Sequence, residues 1–102
     1  MWATEGIKTA PASNTVLADT GVLAAGPLPI TILAWTTGGG WIDLAHRNAL
    51  NTADVHVQRL FLTSNPQMPF VASIPLVLVI NERFVIRTAT PWSGDVQVSL
   101  LA

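Results

Sequence analysis

The sequence predicts an all-β protein, an antiparallel β-sandwich or jelly roll with an extended N-terminal arm. Short apolar-alternating runs recur along the chain and are separated by turns rich in Gly, Pro and Asn. No stretch keeps apolar residues at helical spacing for long enough to form a surface helix. The strongest signal is an antiparallel pair, residues 41–49 and 53–62, around the turn residues Asn51 and Thr52. Seven or eight short strands are expected.

The chain is expected to divide into an arm, residues 1–13, and a β-sandwich domain, residues 14–102. The arm has neither strand nor helix periodicity, so it either frays or lies across a neighbouring subunit. A strand is expected over residues 14–18, closed by the turn residues Asp19, Thr20 and Gly21. Because proline has no N–H to donate to a strand ladder, regular pairing is expected to resume only after Pro29.

The next expected strand, residues 30–36, is apolar on both faces, which favours a place between two layers or between two subunits. Ile30, Ile32 and Ala34 alternate with Thr31, Leu33 and Trp35. The run of glycines at residues 38–40 then predicts a hairpin loop with a mobile tip, because glycine permits positive φ. Trp35 and Trp41 flank this loop and are expected to meet as a cross-strand pair or in the core.

Further strands are expected in the C-terminal half. Pro75 separates residues 68–73, which include Pro69, from residues 76–80, a Leu- and Val-rich run typical of a buried strand. Turns are expected at residues 64–67, 81–82 and 90–94, and the last two bound a strand over residues 83–88. In the final strand, residues 95–101, Val96, Val98 and Leu100 are expected to face the core.

Composition indicates an obligate assembly protein. Of 102 residues, 50% are apolar and only 11% are charged, against about 25% charged in an average soluble domain. A domain of this size has little interior, so part of the apolar surface is expected outside, where it marks a contact face. Ordinary high burial within a monomer is the alternative explanation.

The charge and composition of the chain argue against several classes of function. The net charge is −1 and the arginines are dispersed, which argues against a nucleic-acid partner. Cysteine is absent, so there is no disulfide framework and no thiolate nucleophile. The N-terminus lacks the apolar run of a secretory signal, and no apolar run approaches the length of about 20 residues that spans a membrane.

The paired strands around Asn51 hold most of the polar groups that could carry chemistry, yet they do not form a convincing metal or catalytic site. Asp43 and His46 are three residues apart and are expected on opposite faces, whereas Asp54 and His56 share a face. Two ligands make a poor metal site. We expect no catalytic residues, no metal and no cofactor, and the protein is not predicted to be an enzyme.

The candidate partner-binding residues are tryptophans and arginines. Tryptophan combines a large apolar area with one hydrogen-bond donor, which suits interfaces, and Trp92 is expected to be an exposed anchor because it lies in a turn. Arg83 and Arg87 share the outward face of their strand, where they are solvated or pair with acids of an adjacent subunit. The full set is Trp2, Trp41, Arg47, Arg83, Arg87 and Trp92.

Several short motifs between Asp19 and the C-terminus resemble small bacteriophage virion proteins. They are His46-Arg47-Asn48-Ala49 with Asn51, Gln58-Arg59-Leu60, Asn81-Glu82-Arg83-Phe84 with Arg87, and residues 94–100. The resemblance implies a capsid decoration (cement) protein, located in the virion, that binds the major capsid protein and staples its shell. It also implies a symmetric homo-oligomer, a trimer or a dimer.

Two other functions remain open from the sequence. One is a phage tail or fibre module that recognises carbohydrate, through Trp41 or Trp92, or a protein partner. The other is a metal-assisted enzyme built on His46 and His56. Sugar titration followed by tryptophan fluorescence and metal analysis of the purified protein distinguish these hypotheses from the assembly role.

Overall fold

A computed structural model of the chain describes residues 2–22, 26–48, 50–64, 70–78 and 82–101, with only the backbone described at residues 2, 22, 26–29, 70 and 72–78. These ranges contain nine strands and no helix. Two antiparallel sheets pack together as a sandwich, so the predicted all-β sandwich class is confirmed. Within the described ranges, no helix is long and apolar enough to cross a membrane.

The nine strands are β1 (Trp2–Thr4), β2 (Lys8–Thr9), β3 (Val16–Val22), β4 (Gly26–Thr36), β5 (Gly40–Arg47), β6 (Asp54–Leu62), β7 (Phe70–Leu78), β8 (Arg83–Thr88) and β9 (Asp95–Leu101). The first sheet has the order β1-β9-β4-β7, and β2 also pairs with β9. The second sheet has the order β3-β8-β5-β6. The antiparallel β5–β6 pair, predicted from its alternation, is confirmed.

The core lies between the sheets and follows the period-2 alternation of the strands. On β9, Val96, Val98 and Leu100 are fully buried, as predicted. On β4, Ile30, Ile32 and Ala34 face the core, while the opposite face of the strand is partly exposed. The second sheet completes the core with apolar side chains from β3, β5, β6 and β8: Leu17, Ala18, Ile42, Leu44, Leu62, Phe84 and Ile86.

The glycine segment crosses from one sheet to the other, so the predicted hairpin loop is wrong: β4 and β5 lie in different sheets. These glycines are needed for close approach and not for positive φ. A Cβ on Gly40 would overlap the ring of Trp92, and one on Gly38 would lie 2.9 Å from the backbone N of Gly94. The small residues therefore let Trp92 and the β8–β9 turn close one end of the sandwich.

Two predictions about proline are also wrong. β4 already pairs with β7 at Gly26, through Pro27 and through Pro29, which lies opposite Pro75. β7 is one strand that continues through Pro75. The reason is position: β9 reaches β4 only from Thr31 onward, so these prolines lie where β4 has one described neighbour and proline is tolerated.

The predicted turn at residues 19–21 lies inside β3. The register between β3 and β8 shifts between Val16 and Ala18 and again between Asp19 and Val22, and Gly21 has a φ of 70°. The strand therefore continues through the turn-forming residues, which produce local irregularities in its pairing and do not end it. Residues 65–69 and 79–81, which carry parts of the predicted turns and strands, lie outside the described residues.

The segment predicted as an arm pairs with its own chain. Trp2, Ala3 and Thr4 lie opposite Leu101, Leu100 and Ser99, and Lys8 and Thr9 lie opposite Val96 and Asp95. Ala3 packs against the core cluster. In this structure residues 2–4 and 8–9 therefore pair along the edge of the first sheet.

Candidate functional site

The outer face of the second sheet, turned away from the core, carries all four arginines of the chain and three aspartates. The alternation of β5, β6 and β8 brings them together, because Asp43 lies directly opposite Arg59 on one side and Arg87 on the other. We call this set the arginine–aspartate network. Its members are Arg47, Arg59, Arg83, Arg87, Asp19, Asp43 and Asp54.

Asp43 is the buried centre of the network. Only 5% of the residue is exposed, although its strand position faces outward, because the arginine side chains cover it. Arg59 Nε donates to its Oδ1 at 2.9 Å, and Arg59 Nη2 donates to its Oδ2 at 3.4 Å. Arg87 Nε lies 3.9 Å from the same Oδ2. This paired charge raises the pKa of the Arg59 guanidinium.

Asp54 bridges Arg87 to Arg47. Arg87 donates to both carboxylate oxygens, at 3.1 and 2.8 Å, and Arg47 Nη1 donates to Oδ1 at 2.5 Å. The hydrogen bonds from Arg87 lower the pKa of Asp54, against a smaller opposing effect of burial, and the charge of Arg47 lowers it further. In return, the hydrogen bond to Asp54 raises the pKa of Arg87. Both groups therefore stay ionised around neutral pH.

A β-bulge sets the position of Asp54. The β5–β6 register shifts between His46 and Arg47, so His46 lies opposite His56 while Arg47 lies opposite Asp54. Asp54 thereby reaches the arginines of the outer face, whereas His56 lies beside the inward-facing His46. The expected common face of Asp54 and His56 is wrong, because the bulge interrupts the alternation on which it rested.

Asp19 and Arg83 extend the network to β3 and β8. Arg83 donates to both oxygens of Asp19, at 3.1 and 2.6 Å, in the bidentate geometry that suits guanidinium and carboxylate. Asp19 Oδ1 also accepts from Gly21 N at 2.8 Å. The pair therefore fastens the irregular part of β3 to the sheet.

A shallow cleft of about 390 Å³ opens beside the network. Its charged groups are already paired with one another, and Arg47 also donates to the side-chain and backbone oxygens of Asn51, at 2.6 and 2.9 Å. A carboxylate shared between guanidinium groups, with a lowered pKa, is a weak base. The arrangement is suited to holding strands together. The cleft is lined by Asn14, Val16, Arg47, Asn51, Asp54, Val85 and Arg87.

The two histidines lie across from each other on the inner side of β5 and β6. His46 is largely buried and its Nε2 lies against Glu82 Oε2. His56 is exposed. Among the residues that the structure describes, no group of three or more His, Cys, Asp or Glu side chains is placed to hold a metal ion.

Next to the network lies a set of exposed apolar side chains, Trp41, Val55, Val57 and Phe61, which we call the apolar patch. Trp41 and Phe61 are directly opposite on β5 and β6 and pack edge to face, with ring centroids 5.0 Å apart. Their exposed fractions are 42% and 48%, and those of Val55 and Val57 are 58% and 38%. Apolar side chains thus extend along the outermost strand of the sheet.

Of the predicted partner-binding residues, Trp41 is placed on this surface. Arg47, Arg83 and Arg87 face outward, but their side chains are only 16–20% exposed and pair with aspartates of their own chain. The sequence left Arg83 and Arg87 either solvated or paired with acids of an adjacent subunit, whereas in the structure they pair with aspartates of their own sheet. Trp2 contributes its backbone to β1, and its side chain lies outside the description.

Trp92 is not an exposed anchor, so that prediction is wrong. Only 3% of the residue is exposed, and its Nε1 donates to the backbone oxygen of Trp41 at 3.2 Å. The turn that carries it folds inward over the gap left by Gly40. Trp35 and Trp41 do not form the expected pair, because they belong to different sheets and Trp41 packs on Phe61.

Sequence reasoning missed the exposure of Val55, Val57 and Phe61. Their alternation was visible, but a strand with one apolar face is ordinarily covered on that face. The position of β6 at the edge of its sheet leaves them open. Comparisons of the chain with protein-family models, with curated proteins and with solved structures found no match.

Proposed function

We propose that the protein is a virion structural protein, a capsid decoration (cement) protein that binds the shell of major capsid protein and stabilises it. The observation that carries the proposal is the apolar patch beside the arginine–aspartate network. Isolated exposed apolar residues are ordinary, but neighbouring ones on one strand and its partner mark a contact surface. Trp41 supplies an aromatic anchor of the kind that dominates binding energy at interfaces.

The arginine–aspartate network supports a protein partner over a nucleic acid. Every arginine of the chain forms an ion pair with an aspartate of the same sheet. The face therefore offers no row of unpaired cations that could bind phosphates. The ion pairs also link β3, β8, β5 and β6 to one another across the sheet. A face whose charges are paired with one another is suited to lying against a protein shell.

The proposal is tested on purified virions of the source phage. We expect the chain to be present in stoichiometric amount and, when added back to particles lacking it, to raise the temperature at which they disrupt. Trp41→Ser is expected to weaken particle binding at least tenfold, because it removes the anchor. Leu50→Ser serves as the matched control, since Leu50 is 81% exposed in the β5–β6 loop, away from the patch.

Absence of the chain from the particles, or equal particle binding by the Trp41 and Leu50 variants, would contradict the proposal. Far-ultraviolet circular dichroism of both variants checks that each remains folded. Location of the chain in a micrograph of the particle would give its position on the shell directly.

A tail or fibre module that binds carbohydrate is the second candidate. The observation favouring it is that Trp41 is exposed beside the hydrogen-bonding pair Arg59 and Asp43, since sugars bind where an aromatic ring adjoins polar groups. A sugar that changes tryptophan fluorescence in the native chain but not in Trp41→Phe would support this candidate. A titration without any change would leave the assembly role as the better explanation.

A further inference from the structure

We infer that a second copy of this chain binds along the free edge of β6, antiparallel to it, with Gln58 of each copy on the twofold axis. The two four-stranded sheets would then join as one sheet of eight strands. The inference deepens the proposed assembly role and rests on it, because it specifies how the chain meets its own copy on a shell.

β6 differs from the other three sheet edges in the described part of the chain. β1 and β2 are very short, β3 is interrupted by two register shifts, and β7 contains Pro75. Each of these features is a known way to prevent pairing with another chain. β6 has nine residues, contains no proline and pairs regularly with β5 from His56 to Leu62. Its β-bulge lies at the start of the strand, so among the described edges β6 is the longest that is regular over most of its length and free of proline.

β6 is also open on both of its faces over most of its length. Residues 54–59 are exposed on the outer and the inner side, and burial begins only at Leu60 and Leu62. An added strand would therefore meet no obstruction from the described residues of the first sheet. His56 and Gln58, on the inner side of β6, are exposed and leave room for the side chains of an added strand.

The side-chain pattern of β6 identifies a second copy as the partner. With the axis at Gln58, the regularly paired part of β6 overlaps itself from His56 to Leu60, and the bulged residues Asp54 and Val55 continue the contact toward Leu62 and Phe61 of the second copy. Arg59 then lies opposite Val57 of the second copy, and Val55 lies beside its Phe61. Shifting the axis to Arg59 would place two arginines directly opposite each other, which is unfavourable. Shifting it to Val57 would move Phe61 past the end of β6 to Ala53.

Charge and area decide how strong this contact is. The net charge of −1 does not keep two copies apart. Phe61, close to half exposed, supplies the aromatic part of the contact, whereas Trp41 lies one strand farther from the edge. With the two valines and one strand edge, the contact stays below the roughly 800 Å² per partner of a standard interface. The dimer is therefore reversible and forms as the chain is concentrated, as it would be on a shell.

The twofold axis runs perpendicular to the joined sheet, so both apolar patches point to the same side. A dimer would then present two copies of Trp41 to one surface. Such bivalent contact raises the overall affinity well above that of one patch without any new kind of contact.

Two substitutions of opposite charge at residue 57 test the register of the proposed β6–β6 pairing. We expect Val57→Lys to raise the dimer dissociation constant at least tenfold, because lysine would lie opposite Arg59 of the second copy. Val57→Glu loses the same valine but would face that arginine favourably, so it should dimerise as well as the native chain or better. Sedimentation equilibrium over a wide concentration range measures both. Equal weakening by the two variants would overturn the register.

Cross-linking gives a measurement that does not depend on those variants. The chain has no cysteine, so Gln58→Cys introduces a unique thiol. Directly opposite residues have Cα atoms about 4.5–5.5 Å apart, within disulfide range, whereas residue 57 would face its own copy only on the diagonal, about 7–8 Å away. We expect rapid oxidative dimerisation of Gln58→Cys and slow dimerisation of Val57→Cys and Leu50→Cys. Fastest linking at 57 or 50 would overturn the assignment.

The outcomes separate this inference from the proposed function. A chain that stays monomeric up to high concentration but binds particles overturns the β6 dimer and leaves the decoration role standing. A chain that dimerises through Gln58 without binding particles supports the β6 dimer and contradicts the decoration role. Cross-linking of Gln58→Cys on particles to a different protein would mean that the edge serves the shell and not a second copy.

Discussion

Asp43 shows how a single residue can depart from its strand pattern. Its alternation position is outward, yet it is buried because Arg59 and Arg87 fold over it. Arg59 is different: its side chain is 58% exposed, so it can be hydrated without its partner. The two ends of this ion pair are therefore expected to contribute unequally when either is removed.

Asp43→Ala is predicted to destabilise the protein by about 1 kcal/mol, because Arg87 keeps its hydrogen bonds to Asp54 and the exposed Arg59 is hydrated without its partner. Arg59→Ala is predicted to destabilise the protein more than Asp43→Ala, because the buried carboxylate of Asp43 loses both hydrogen bonds from Arg59 and keeps Arg87, 3.9 Å away, as its neighbouring cation. Urea denaturation of both variants measures the difference. Equal losses would show that the burial of Asp43 has no energetic consequence.

Asp54 gives the protein a predictable acid dependence. Its pKa is lowered from the ordinary value of 3.8, first by hydrogen bonding to Arg87. An acid with a lowered folded-state pKa stabilises the fold above its unfolded pKa, and this stabilisation is lost as the pH falls through the folded value. The effect is small, because about a third of the side chain is exposed.

The comparison is between the native chain and Asp54→Asn. Their difference in urea midpoint is predicted to be constant from neutral pH to about pH 5 and to shrink below about pH 4, because the unfolded carboxylate takes up its proton before the native one does. Titration of both proteins over this range checks it. A difference that grows on acidification would mean that the native contacts favour the protonated form.

At the scale of elements, the short strands β1 and β2 cover one side of β9. They pair with it at five positions, two of them opposite the buried residues Val96 and Leu100. Without them β9 becomes a sheet edge, and its backbone groups on that side lose their partners. The N-terminal segment is therefore part of the stability of the isolated molecule.

Deletion of residues 1–9 is predicted to cost about 2 kcal/mol or more, since each lost hydrogen bond contributes about 0.5–1.5 kcal/mol net. The measurement is the urea midpoint of the shortened chain against that of the full chain. An unchanged midpoint combined with loss of particle binding would restore the expectation of an arm that reaches a neighbour.

At the scale of the whole molecule, the chain packs as one domain despite its apolar composition. Its radius of gyration of 12.9 Å equals the value of about 13 Å expected for a compact domain of this length. One core cluster joins strands from both sheets, so neither sheet buries its inner face alone. The apolar patch is thus surface left over after normal folding.

A single core predicts a two-state unfolding transition. Far-ultraviolet circular dichroism reports the sheets, and tryptophan fluorescence reports the buried Trp92 among the four tryptophans. The two denaturation curves are expected to coincide at low protein concentration, where the dimer is dissociated. Separate transitions would indicate that one sheet unfolds before the other.

The sequence by itself determined the fold class and the parts of it that depend on local chemistry. The alternation of Val96, Val98 and Leu100 places one face of β9 in the core, and the run from Asp54 to Leu62 pairs with β5 across a turn, because a period of two fixes which side chains share a face. It also predicted that apolar side chains would remain at the surface, which Trp41 and Phe61 show.

Only the tertiary structure decided where each strand lies and which polar groups meet. Trp92 is buried because Gly40, distant in sequence, leaves room for its ring. Asp54 joins the arginines because a bulge reverses its face, and the prolines of β4 are tolerated because β9 stops short of them. Edges, bulges and close approaches depend on which segments become neighbours, and strand alternation carries no information about that choice.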